Sequence, residues 1–166
     1  MSIGLLLLRL TVGLTLAAHG AQMLLGWFGG PGLDATAQAF AMLGFPPGRR
    51  HALMAGLAEI GGGLLLALGL ITPFAAAVIF SVMLVAAFSV HVEKGFFVTN
   101  GGYEYTLLVA VAALALAFTG PGSLSIDSQL GYSVSGAFWG SAALIVGLLA
   151  GAFPLVQRRG ISASVK

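Results

Sequence analysis

The chain has 166 residues, 58% of them hydrophobic and 7% charged, with a net charge of +2 and a mean hydropathy of +1.03. Ordinary soluble domains carry about 25% charged residues, so this chain cannot cover a water-facing surface and belongs in a lipid bilayer. Its few, scattered charges make no nucleic-acid patch, and the absence of cysteine excludes a thiolate nucleophile, a disulfide relay and a protein-ligated iron–sulfur cluster.

The first predicted helix covers about residues 3–28. It lacks a charged segment ahead of its apolar stretch, and Arg9 sits inside that stretch, so it reads as a retained helix and not as a signal peptide. Gly13, Ala17 and Gly20 form a small-residue stripe at helical spacing, which suits close helix packing. Arg9, His19 and Gln22 interrupt the apolar run. Trp27 and Phe28 fit the aromatic belt of a membrane boundary. A Gly-Gly-Pro-Gly break follows, and residues 33–44 read as a short interfacial segment with Asp34 as its cap. Arg49, Arg50 and His51 then form a basic loop end.

The second predicted helix, about residues 52–71, carries one carboxylate, Glu59, with glycines at 61–63. A lone acid in a lipid-length helix is costly, and such residues usually face the bundle interior and pair with something. Gly62 and Gly63 share the helix face of Glu59, so a neighbour can come close there. Pro73 turns the chain into a third helix, about 74–91, which exits at His91, Glu93 and Lys94. The fourth helix, about 103–119, opens with Tyr103, Glu104 and Tyr105. A loop containing Asp127 leads to a last apolar run, 137–156, long enough for a fifth span and followed by a basic tail. No internal repeat is visible.

Sidedness follows from alternation. If face A holds the start of the first helix, five spans place Arg49, Arg50, Lys94, Arg158, Arg159 and Lys166 on the opposite face B. Only Arg9 lies toward A. The positive-inside rule then expects B in the cytoplasm and the N-terminus outside.

Depth arithmetic gathers the polar groups. His19 falls roughly 12 Å and Glu59 roughly 10 Å inside face B, with His91, Tyr103, Glu104 and Tyr105 near the B boundary. We expect a cavity lined by His19, Gln22, Glu59, His91 and Glu104, opening toward B under the 34–43 segment. Each residue also has a plainer reading. Glu59 is a helix lock or a proton carrier. His19 is a cross-helix hydrogen bonder or a proton donor. His91 and Glu104 complement helix ends or join the site. Arg9 must be paired or snorkel to face A, and its candidate partners are Asp127 and Glu59. Asp127 is otherwise a turn or cap residue. No ligand spacing is diagnostic of a metal. His19 and His91 differ in depth by about 10 Å, which argues against a shared haem.

Several segments together resemble the DoxX family of small bacterial membrane proteins. They are Arg9 with His19-Gly20 and Gly26-Trp27-Phe28-Gly29-Gly30, the stretch from Glu59 to Pro73, and His91 with Gly95. Gly101-Gly102-Tyr103-Glu104-Tyr105 and the segment from Gly120 to Asp127 complete the pattern. The resemblance implies a four-helix membrane core over residues 1–130, with the loop, fifth helix and basic tail of 131–166 added to it. It also implies location in a bacterial plasma membrane and association with redox systems, including thiosulfate:quinone oxidoreduction.

The expected fold is therefore an all-α membrane bundle of four core helices, a fifth C-terminal helix and a short interfacial helix. The expected function is a redox-system membrane subunit with a quinone, or a similar small molecule, as its ligand. Glu59, His19 and Glu104 would handle protons, while Gln22, His91 and Tyr103 would bind the ligand. Arg9 and Asp127 would form a structural charge pair. Electrons would come from a partner protein or bound cofactor. The expected partners are the bilayer, redox proteins and further copies of the chain. The alternatives are a non-catalytic scaffold that docks soluble redox proteins on face B, and a small-solute carrier.

Overall fold

The computed structural model describes residues 2–132 and 134–158. These residues form an all-helical bundle. The helices are α1 (Ser2–Leu25), α2 (Gly32–Met42), α3 (Gly48–Leu68), α4 (Thr72–Ala86), α5 (Glu104–Thr119), α6 (Ile126–Gln129) and α7 (Ala137–Gln157). A π-helical turn, Ala87–His91, extends α4. Four segments are long and apolar enough to cross a membrane: α1, α3, α7 and the α4 stretch Thr72–Lys94. α5 is a shorter apolar helix. Arg159 and Lys166 lie outside the described residues.

Two of the boundaries that differ from the sequence expectation lie near the B end. α1 stops at Leu25 because Gly26 turns left-handed at φ 69, and Trp27–Gly29 becomes a separate 3₁₀ turn. α3 begins at Gly48, so Arg49, Arg50 and His51 occupy its first turn. Cations there oppose the helix dipole. For Arg49 this is offset by Asp34 of α2, whose carboxylate accepts a hydrogen bond at 2.7 Å. α2 is anchored at the B end, where the Thr36 hydroxyl donates to the Met23 carbonyl at 3.0 Å.

The α1–α3 seam is a backbone-to-backbone contact. A Cβ on Gly13 would press on the Gly63 carbonyl, and a Cβ on Gly63 on the Gly13 carbonyl. Gly20 lies against the Gly56 carbonyl in the same way. Gly63→Val should therefore cost about 1–3 kcal/mol or more through overpacking. Gly61 faces open space, and Gly61→Ala should be neutral or stabilise by up to about 1 kcal/mol. Thermal unfolding of both variants in detergent checks this, and equal melting points would contradict the seam.

The fifth helix is built into the bundle. Gly140 packs on Phe118, Gly147 on Phe80 and Gly151 on Leu84, so α7 closes onto α4 and α5. Leu16, Leu66, Ile79, Val109 and Leu116 fill the centre. At the B end Arg158 fastens α7 to its neighbours. Its Nε donates to the Leu43 carbonyl at 2.6 Å and its Nη1 to the Phe88 carbonyl at 3.4 Å. Its guanidinium lies 5.8 Å from the Phe45 ring centre. The side chain is thus engaged inside the fold.

Candidate functional site: a membrane-embedded histidine–carboxylate pair

Glu59 sits on the face of α3 that meets α1. With no side chains on Gly20 and Gly56, the two backbones approach, and α1 brings His19 across the seam. Nδ1 of His19 donates to Oε2 of Glu59 at 2.6 Å. The carboxylate is buried, with 4% exposure, whereas the His19 side chain is 55% exposed. A short bond to an ionised acceptor is among the stronger hydrogen bonds. It also fixes the ring, because a partner on one nitrogen decides the role of the other. Nε2 is left to take or give a proton on the open side. At roughly 1.5 Å per residue, His19 lies about 9 Å from the Leu25 end of α1, within the apolar span.

Sequence depth puts Tyr105 only near the B boundary. In the structure it lies one turn beyond Val109, which shares a buried cluster with Leu16 of α1. A helical signal was available: Tyr105 continues the stripe of Val109, Ala113 and Leu116 toward the B end, and those three are buried.

The other predicted site residues have different partners. Nδ1 of His91 donates to the Gly101 carbonyl at 2.6 Å. Glu104 accepts from the Val98 amide at 2.9 Å. Tyr103 stacks edge-on against Phe96 at 5.4 Å. These contacts knit together the loop between α4 and α5. The side-chain amide of Gln22 donates to the Phe28 carbonyl at 3.4 Å. None of the four hydrogen-bonds to His19 or Glu59 among the described residues. Of the five side chains expected to line one cavity, His19 and Glu59 bond to each other, His91 and Glu104 bond within the α4–α5 loop, and Gln22 bonds to the Phe28 carbonyl. The reason is local. The turn around Gly95 and Gly101 leaves amides and carbonyls that the nearest polar side chains satisfy.

Arg9 and Asp127 occupy the A end, away from the pair. Asp127 is fully buried and accepts three hydrogen bonds, from the Ile71 amide at 2.8 Å, the Thr72 amide at 3.0 Å and the Thr72 hydroxyl at 2.8 Å. It thus caps the start of α4 from the short helix α6. Nη2 of Arg9 donates to the Leu124 carbonyl at 2.5 Å. The guanidinium packs on Gly69 and Ser125 and feels the charge of Asp127. The two charges share one buried site, and no direct ion pair between them forms within 4.0 Å among the described residues.

Two surface clefts lie elsewhere. One is bounded by Phe45, His51 and Gln157, the other by Thr119, Ser128 and Tyr132. No group of three or more His, Asp or Glu side chains that could hold a metal ion occurs among the described residues.

Residues 4–92 match the sequence model of the DoxX family. A Bacillus subtilis protein named "Putative oxidoreductase CatD" is 31% identical over 75% of this chain and 85% of its own length. Two uncharacterized proteins of Haemophilus influenzae are 36% and 41% identical over 40% and 46% of this chain, and over 44% and 60% of their own lengths. No solved structure matches the chain.

Proposed function

The chain belongs to the DoxX family, and from that premise we propose that it is the membrane subunit of a redox system that binds a quinone head beside His19. Family membership and the four long apolar helices make it an integral membrane protein. The observation that carries the functional reading is the 2.6 Å His19–Glu59 bond, with a buried acid behind a half-exposed imidazole. A carboxylate in that position orients the ring and stabilises the imidazolium that forms when Nε2 takes a proton. Reduction of a quinone to a quinol consumes two electrons and two protons. In this reading His19 passes protons at Nε2 and Glu59 holds the resulting charge. The electrons come from a partner protein or a bound redox cofactor. The name of the Bacillus subtilis relative supports the redox assignment. Face B, with Arg49, Arg50, Lys94 and Arg158, is assigned to the cytoplasm. The docking alternative is weakened because Arg49 and Arg158 are engaged within the chain.

The test is retention of quinone. Protein extracted in mild detergent should carry quinone detectable by mass spectrometry. His19→Leu should lower the retained amount about tenfold or more, the effect of losing a hydrogen bond to a charged group. Retention no greater than that of an unrelated membrane protein would refute the assignment.

A further inference from the structure

We propose that the open side of the His19–Glu59 pair is a lateral port between α1 and α5, through which a lipid-partitioned ligand enters from the B-side leaflet and meets Tyr105 as a second polar contact. This rests on the reading that the pair serves a ligand.

The argument begins with two helix faces. On α1, Val12, Leu16, His19 and Met23 lie on one side at helical spacing. Leu16 and Met23 are buried, and His19 between them is exposed. On α5, Val109, Ala113 and Leu116 are buried, and Tyr105, one turn further toward B, is 42% exposed. Leu16 and Val109 share one buried cluster that seals both stripes deeper in the bundle, and one turn further toward B each stripe opens on a polar side chain, His19 with Glu59 behind it and Tyr105. The B-side mouth of the α1–α5 seam thus brings together an α1 imidazole, backed by the Glu59 carboxylate, and a phenol on α5.

The surroundings of this mouth decide what can enter. On α5 the side chain one turn from Tyr105 is Leu108, exposed and apolar. The loop above carries exposed Phe96 and Phe97, residues suited to a membrane boundary. An aqueous solute would have to cross this apolar rim, whereas a molecule already dissolved in the leaflet meets the mouth sideways. The fitting ligand has an apolar body that stays in lipid and a flat polar head with two hydrogen-bonding oxygens, one for His19 and one for Tyr105.

Two measurements test the port in full-length protein reconstituted in nanodiscs. The chain has only two tryptophans, so Tyr105→Trp combined with Trp27→Phe and Trp139→Phe gives a single reporter. Its fluorescence should be quenched by phosphatidylcholine with brominated acyl chains and left unchanged by iodide in the buffer. In the second measurement, Tyr105→Phe should weaken binding of a decyl-substituted benzoquinone about fivefold, the effect of one neutral hydrogen bond, while His19→Gln weakens it further. Iodide quenching, or binding that depends on His19 and not on the Tyr105 hydroxyl, would overturn the port and leave the functional assignment standing. Binding that neither substitution alters, or no binding by the unsubstituted protein, would overturn the assignment and the port together.

Discussion

Arg9→Leu is expected to destabilise the bundle by about 3–5 kcal/mol, the range for removing one member of a buried charge arrangement. Arg9 is 1% exposed and Asp127 0%, so neither charge has bulk water to fall back on. Asp127 is held by its three hydrogen bonds at the start of α4. A leucine at position 9 would leave that carboxylate without its nearest cation. It would also free the Leu124 carbonyl, which Arg9 now satisfies. Arg9→Lys should recover only part of the loss, because a lysine lacks the planar fork that reaches Leu124 and packs on Gly69 at once. Thermal unfolding in detergent reads the difference. An Arg9→Leu protein as stable as the unsubstituted one would mean that the guanidinium contributes nothing at the A end.

How much of this was legible in the sequence varies with the kind of contact. The meeting of His19 and Glu59 could be anticipated because consecutive helices run antiparallel and glycines flank both residues. Spacing along each helix then fixes depth. Arg9 and Asp127 were paired in sequence because they are the polar groups nearest face A. That reasoning could not show that Asp127 caps α4 through backbone amides, since a cap across more than fifty residues of sequence leaves no local pattern. The partners of Glu104 and His91 were hidden for a related reason. Helical spacing sets their level near the B boundary, but the π turn and the turns at Gly95 and Gly101 supply their partners, the Gly101 carbonyl and the Val98 amide. Tyr105 was missed because a tyrosine at a helix start reads as an interfacial anchor. Its relation to Val109 and Ala113 gains meaning only when α1 is seen beside it. The glycines of α7 were visible at Gly140, Gly147 and Gly151, yet without knowledge of which helices they face they read as an added span and not as a bundle seam.

Glu59→Gln should separate chemistry from architecture. The glutamine carbonyl can still accept from Nδ1 of His19 in nearly the same volume, so the ring stays oriented and the α1–α3 seam keeps its packing. The negative charge that would stabilise an imidazolium is gone. If the pair moves protons, quinone-linked turnover should fall by about 10²–10⁴, the usual contribution of a positioned acid or base, and its pH dependence should change. Unfolding stability should shift by no more than about 1 kcal/mol, the scale of a single neutral hydrogen bond. Glu59→Ala is the companion variant. It removes the acceptor and leaves a void beneath a half-exposed imidazole, so it should lose activity and also stability. The opposite pattern is equally distinct. Were Glu59 only a lock between α1 and α3, Glu59→Gln would lower the melting point and leave retained quinone and turnover unchanged. That result would return the pair to a structural role, because only the charge of Glu59, and not its shape, has been removed.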